Sequence, residues 1–454
     1  MRDLVGTGRL ARLVLRRDRV RLPVWILALS LILIGTASAF ATLYPTEAER
    51  AQLALTVASS PALIAFLGPL YSPSIGGLTV WRSGTLVATL AAIMAVLTVI
   101  RHTRDDEETG RRELLGATVL GRGAPLAAAL VVVIGAGLAI GLLVAIGLIA
   151  RGEPVPGSLA LGLGLTGVVA AFGGIGAMAA QMTESAATAR GIGIATAAGF
   201  FLIRVAGDGG EGAGLSWLSW LSPIGWLSRL RAYADERWWV LGLWAALAAT
   251  SIGAAWSIMA KRDIGAGVFA PRPGPERAAR SLRTSLALGW RLHRGALVGW
   301  TVGTMVMGMV FGAVGDSIAG LVTDNPQMEA IFAAMGGERG ITDAFFSAVV
   351  GLVALVATAY SIRSVLRLRV EEEEQRAEPI LATQTPRLRW AASHVVFAVV
   401  GPVVILLAMS LVAGVVYGLV TDDLPGQASR ALGSALVQLP AVWVLTGLAL
   451  ALFG

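Results

Sequence analysis

HTRDDEETGRRELLGATVLGR, residues 102–122, is an island of charge between two apolar runs, and much of its pattern returns 265 residues further along the chain. Arg104, Glu107, Glu108, Arg111, Glu113, Ala117, Thr118 and Arg122 recur as Arg369, Glu372, Glu373, Arg376, Glu378, Ala382, Thr383 and Arg387. Eight identities in nineteen positions mark an internal duplication rather than a coincidence of composition. A second correspondence lies upstream, where Arg16, Arg19 and Trp25 return after 275 residues as Arg291, Arg294 and Trp300, each set leading into an apolar run.

The flanks of these islands define the fold class. Runs of about 20 apolar residues, the length that crosses about 30 Å of hydrocarbon, fall near 22–41, 78–100, 124–149, 158–181, 190–206 and 238–260, then near 295–314, 343–362, 391–420 and 432–454. Of 454 residues 56% are hydrophobic and 14% charged, a balance no soluble domain of this size has. The reading is an all-α polytopic membrane protein of about 10 transmembrane helices in two tandem repeats of a six-helix unit. The first repeat takes residues 1–260, a Pro-rich basic linker 261–285, and the second repeat 286–454. The second copy stops within what matches the fourth span, roughly 80 residues short of the first; a final pair of spans is expected beyond it, the alternative being that this copy has lost that pair. The 56 glycines suit close helix approach in lipid, and the absence of cysteine rules out disulfides and thiolate metal sites.

Charge sets the orientation. With loops assigned alternately to two sides, 27 of the 36 Lys and Arg lie on the side that holds the N-terminus, which places that terminus in the cytoplasm. The net charge of +7 follows from this bias and needs no nucleic acid. Arg9, Arg12, Arg16, Arg17, Arg19 and Arg21 alternate with Leu10, Leu13 and Val14 as an amphipathic helix on the inner surface. Ala39-Phe40-Ala41 resembles a signal cleavage site, but the alternating arginine bias requires the first span.

A charged E-E-x-G-R-x-E-L-L loop after the second span, with six spans and an amphipathic lead-in helix, resembles the membrane subunits of type 2 ABC exporters. Arg262-Asp263-x-Gly265-Ala266-Gly267 and Leu221-Ser222-Pro223-x-Gly225-Trp226 are similar to segments of the duplicated actinobacterial permeases that export polyketide antibiotics and other drugs. The resemblance implies export of hydrophobic, amphipathic or lipid-like small molecules across the bacterial inner (plasma) membrane. It implies two copies of a separate ABC ATP-binding subunit, docked at Glu107, Glu108, Gly110, Arg111, Glu113 and Leu114 and again at Glu372, Glu373, Arg376 and Glu378. It further implies an outer re-entrant segment carrying Trp217, Trp220, Pro223 and Trp226, and a route lined by the second and fifth spans. The second loop departs from the pattern, with Gln375 for Gly110 and Pro379 for Leu114.

The residues themselves exclude several chemistries. A P-loop needs a lysine directly before Ser or Thr, and the only lysine, Lys261, precedes Arg262. ATP and Mg²⁺ are therefore expected in the partner subunit, with no cofactor or metal held by this chain. His102, His293 and His394 have no metal-ligand spacing, and neither H-E-x-x-H nor G-x-S-x-G occurs, so a membrane enzyme is not indicated. The alternatives are an ion-coupled multidrug carrier and a non-transporting scaffold. A carrier would place ionisable residues in mid-span, whereas Arg204, Asp343, Glu184 and Arg190 read as span-end or loop charges. The tryptophans from 217 to 239 also fit an aromatic belt at the membrane interface.

Overall fold

The computed structural model describes residues 2–59, 61–116, 119–210, 214–263, 265–269, 276–277, 279, 282–323 and 338–453. Their regular structure is entirely helical. Contacts divide the chain into two compact units, Met1–Pro273 and Gly274–Gly454, so the division falls within the stretch read as a linker. Nine helices among the described residues are long and apolar enough to cross a membrane, six in the first unit and three in the second.

The first unit opens with α1 (Thr7–Arg17), which turns Leu10 and Val14 inward and leaves most of its arginines outside. After a break comes α2 (Arg21–Leu43), then the short α3 (Glu47–Ala58) and α4 (Pro61–Leu67). The second span is composite: α5 (Ile75–Thr79), one π turn (Val80–Gly84) and α6 (Thr85–Arg101) share an axis. Two short charged helices, α7 (Arg104–Glu108) and α8 (Arg111–Gly116), lead to α9 (Ala124–Ile149) and α10 (Val155–Met182). The unit closes with α11 (Ala186–Gly209), a 3-10 turn (Ser216–Leu221), α12 (Trp226–Arg229) and α13 (Val240–Lys261).

Lipid dictates which helices lie at the centre. Apolar burial gives little drive when the solvent is itself hydrocarbon, so close packing between small residues has to hold the bundle. The second span and α10 are mostly enclosed, while α2, α11 and α13 direct most of their length outward. Leu33, Val96, Phe172 and Trp244, from α2, α6, α10 and α13, all lie in the core. The closest approach is between α9 and α10, where a Cβ on Gly141 would stand 2.3 Å from the Gly162 carbonyl oxygen and one on Gly162 would stand 2.4 Å from that of Gly141.

The second unit consists of α14 (Ser285–Thr323), α15 (Glu338–Glu373), α16 (Glu378–Leu381), α17 (Arg387–Val420) and α18 (Leu424–Phe453). Its core gathers Val350, Tyr360, Ile405 and Met409, from α15 and α17. The span expected at 295–314 lies in α14, whose side chains at 310 and from 313 onward are outside the described residues.

The duplication is not copied in detail. In the first unit the chain breaks between α1 and α2, and the buried Asp18 there binds His102 Nε2 at 2.6 Å and lies 3.4 Å from Arg101 Nη1. At the corresponding position of the second unit stands His293, and α14 runs through it unbroken. His293 Nε2 meets His394 Nδ1 at 3.0 Å, and its ring stacks on Phe397 with centroids 5.1 Å apart. A carboxylate can draw α1 onto the end of α6; an imidazole within an aromatic stack offers no such anchor. Likewise, α15 continues through Arg369 to Glu373, so the start of the second charged loop is an extension of the span helix.

Gly141→Val should force α9 and α10 apart at a cost of about 1–3 kcal/mol, the range for overpacking a close contact. Gly135→Val is the control, because a Cβ there meets nothing within 4 Å. Thermal unfolding in detergent should show a lower midpoint for the first variant and an unchanged one for the second.

Candidate functional site

The charged loop of the first unit is folded by its own side chains. His102 and Thr103 break the helix, with Thr103 Oγ1 returning a hydrogen bond to the Val99 carbonyl at 2.6 Å. One turn further on, the Glu107 side chain is only 2% exposed and gathers three guanidiniums. Arg104 Nη1 lies 2.9 Å from Oε2, Arg262 Nη2 lies 3.0 and 2.9 Å from the two oxygens, and Arg112 makes a close pair with Oε1.

The same arginines seize the chain that follows α13. Arg104 donates through Nε to the Ala180 carbonyl (2.7 Å), through Nη1 to that of Gly265 (3.2 Å) and through Nη2 to that of Ala266 (3.1 Å). Arg262 donates through Nε to Gln181 Oε1 at 2.7 Å and through Nη1 to the Ala266 carbonyl at 2.7 Å. Arg122 Nη2 closes on the Arg262 carbonyl. Residues 265–269 thus form a strap across the end of α10, with Val268 N–H donating to the Gln181 carbonyl (3.3 Å) and Phe269 N–H to that of Met182 (3.0 Å). A Cβ on Gly267 would lie 2.7 Å from the Thr183 carbonyl carbon, so only glycine lets the strap lie this close.

With three cations to one carboxylate, the backbone carbonyls of α10 and the strap supply the remaining acceptors. Burial, then the like charges of Arg262, Arg122 and Arg104, push the Arg112 guanidinium down to about 10, still protonated at neutral pH. Removing the carboxylate would leave an uncompensated buried cluster.

Of the residues expected at a docking surface, Glu107 is therefore an internal partner. Its neighbour Glu108 is exposed yet engaged, because its Oε2 accepts the Ala186 N–H at 2.7 Å and caps the start of α11. Gly110 makes the turn between α7 and α8 with φ +71°; Arg111, at 57% side-chain exposure, and Glu113 face outward. Leu114 lies in α8, and its side chain, with Ala117 and Thr118, is outside the described residues.

In the second unit, Glu372, Glu373, Arg376 and Glu378 are all exposed, and Arg369 pairs with Glu373 at 2.7 Å on the helix surface. The buried carboxylate there is Glu371, one residue earlier, 3.4 Å from Arg367 and 3.8 Å from Arg376. Gln375 occupies the left-handed position of Gly110 with φ +57°, a conformation that costs a side-chain-bearing residue more than glycine. The two loops share one pair in register, Asp106 with Arg111 and Glu371 with Arg376, but differ at Glu107, whose counterpart Glu372 is exposed.

The tryptophan segment packs onto α11 and α13. Ser222 Oγ donates to the Phe200 carbonyl at 2.7 Å, and Trp244 Nε1 donates to that of Pro223 at 2.9 Å. Trp226 is buried and donates to the Trp220 carbonyl at 2.6 Å, whereas Trp220 stacks on Trp239 with centroids 5.4 Å apart and Trp217 is exposed.

Comparison with known proteins fixes the family. The chain is 42% identical over 450 residues to the multidrug efflux system permease protein Rv1217c of Mycobacterium tuberculosis, an alignment covering 99% of this chain and 81% of that protein. A family model described as the C-terminal domain of the multidrug efflux system permease Rv1217c matches residues 282–454. The chain belongs to this family of multidrug efflux permeases. It is a multi-pass membrane protein and the membrane subunit of a multidrug exporter.

One charged site of the permease escaped the sequence reading. Arg204, read as a span-end charge, is 0% exposed inside α11. Its Nε lies 2.7 Å from Asp208 Oδ2 and its Nη1 donates to the Phe66 carbonyl at 2.6 Å. Asp208 Oδ1 also accepts from Ser219 Oγ (2.6 Å) and Arg229 Nη2 (3.0 Å), which ties α4, the 3-10 turn and α12 to the fifth span. The i, i+4 spacing of Arg204 and Asp208 was the available signal; their partners are remote in sequence. Among the described residues, no group of three or more His, Asp and Glu has the arrangement of a metal site.

Asp208→Ala should strand two guanidiniums in the apolar interior, at a cost of about 3–5 kcal/mol. Arg229→Gln should cost less, since Arg204 keeps its partner. Detergent-solubilised permease should show this order in thermal midpoint.

Proposed function

We propose that this permease is the membrane half of an ATP-driven exporter of hydrophobic or amphipathic molecules, working with two copies of a separate ATP-binding subunit. The observation that carries the reading is a charged hairpin of two short helices, α7 and α8, held rigidly to the helix ends by buried ion pairs while Arg111 and Glu113 remain exposed. A solvated turn would not need such internal wiring. A hairpin that receives force from another protein does, because a compliant loop would absorb the motion.

The partner supplies ATP and Mg²⁺, since the sole lysine of this chain precedes Arg262 and cannot serve a P-loop. The arginine bias supports an orientation with the N-terminus and both charged loops on the cytoplasmic side of a bacterial inner membrane. On this reading, docking in the first unit uses Gly110, Arg111, Glu113 and the flank of Glu108, and in the second Glu372, Glu373, Arg376 and Glu378. The Trp217–Trp226 segment closes the outer end. The Arg204–Asp208 pair favours an ion-coupled carrier only at first sight: its carboxylate is shared by two guanidiniums and a hydroxyl, an architecture of fixed partners rather than of a site that loads and unloads an ion.

Proteoliposomes holding the permease with its ATP-binding subunit should move ethidium only when ATP is present on the side of the subunit. Ethidium movement driven by a proton or sodium gradient without the subunit would instead establish a carrier. Reversing the exposed Glu113, Glu113→Arg, should lower co-purification of the ATP-binding subunit by about tenfold, the scale of losing charged contacts at an interface, with no change in thermal midpoint.

A further inference from the structure

The R-D-x-G-A-G segment after α13 has a role that family membership does not assign. We propose that the Arg104–Glu107–Arg262 cluster is a permanent clasp that makes the α7–α8 hairpin, the strap 265–269 and the end of α10 move as one body. Displacement of the hairpin then reaches α10 and α13 directly, and with them the linker that leads into the second unit. This inference rests on the reading above, that the hairpin receives force from an ATP-binding subunit.

Three observations support a permanent clasp. Every element is joined to the next through buried groups: the Arg104 side chain is 0% exposed, that of Glu107 2% and that of Arg262 6%. The strap is also held by its backbone, through Val268 and Phe269 to Gln181 and Met182, so side-chain and main-chain ties act in the same place. The strap lies against Thr183 too closely for any residue but glycine at 267, so main chain packs directly on main chain there. A latch that opened in each cycle would have to bare three guanidiniums and a carboxylate near the membrane surface, whereas a clasp that stays shut keeps each group paired. Glu107 is thus a positioning residue, acting through the helices it joins. Glu372, its counterpart by sequence, is exposed and has no such duty.

The absence of cysteine makes a direct test possible. Met182→Cys and Phe269→Cys, neither of which bears a clasp charge, can be joined by a short bifunctional maleimide in the full permease reconstituted with its ATP-binding subunit. The cross-linked protein should keep ATP-driven ethidium transport within about twofold of the unlinked one. Glu107→Gln should still bind the subunit, but its ethidium moved per ATP hydrolysed should fall by about tenfold, and cross-linking 182 to 269 in that variant should restore most of it. A general folding defect would not be rescued by a covalent bond at the strap. Should Glu107→Gln not insert, Arg262→Lys replaces it, keeping the charge but unable to reach Glu107, Gln181 and Ala266 together; the same loss and rescue are expected, and Glu372→Gln should be silent. Transport abolished by the cross-link in the parent, a clasp variant that transports like the parent, or a loss the cross-link does not restore would overturn the proposal. Failure of the underlying reading is seen separately, as an unmodified permease that binds no ATP-binding subunit or moves ethidium without ATP.

Discussion

A carboxylate that three guanidiniums share at one end of the helix bundle governs much of the architecture of the first unit. Glu107 holds Arg104, Arg112 and Arg262, and through them the end of α6, the charged hairpin, the end of α10 and the chain leaving α13. No comparable force is available from apolar burial, because lipid tails satisfy an apolar side chain as well as a protein core does. The glycine contact of α9 with α10 secures the middle of the bundle, and the Asp208 cluster secures the far end of α11. Buried ion pairs of this kind add little net stability over an apolar replacement, but they fix geometry, since removing one member is costly.

The two units illustrate how one duplicated pattern acquires two wirings. Asp18 in the first unit anchors the break between α1 and α2, while His293 at the matching place lets α14 run straight. Gly110 turns the first hairpin without strain, whereas Gln375 makes the same turn as a side-chain-bearing residue. The buried acid Asp106 and its partner Arg111 return in register as Glu371 and Arg376, whereas Glu107, enclosed in the first unit, has an exposed counterpart in Glu372.

What the sequence made legible follows from what lipid enforces. A run of about 20 apolar residues has to be a spanning helix, since unpaired backbone groups are not tolerated in hydrocarbon, so the spans could be read directly. The charged loops stood out because nothing else explains so many ionisable residues beside those runs. The fate of each charge was not legible. Glu107 and Arg262 are 155 positions apart, and no periodicity links them; Glu107 therefore read as a surface contact and the Arg262 segment as a mere family marker. Arg204 read as a span-end charge because Phe66 and Ser219, which bond to it, and Arg229, which shares its partner Asp208, are brought there only by the fold. The unbroken α14 was hidden by the repeat itself, which carried Arg16, Arg19 and Trp25 into the second half without Asp18.

On the proposed reading, force from an ATP-binding subunit enters through the α7–α8 hairpin. The most direct measurement is contact mapping from single cysteines in this cysteine-free chain, using a photoactivatable thiol label on Glu113→Cys at the hairpin and on Trp217→Cys in the tryptophan segment. A covalent adduct to the ATP-binding subunit is expected from position 113 and none from position 217. An adduct from 217, or a complex assembled with 113 left unlabelled by the subunit, would contradict it.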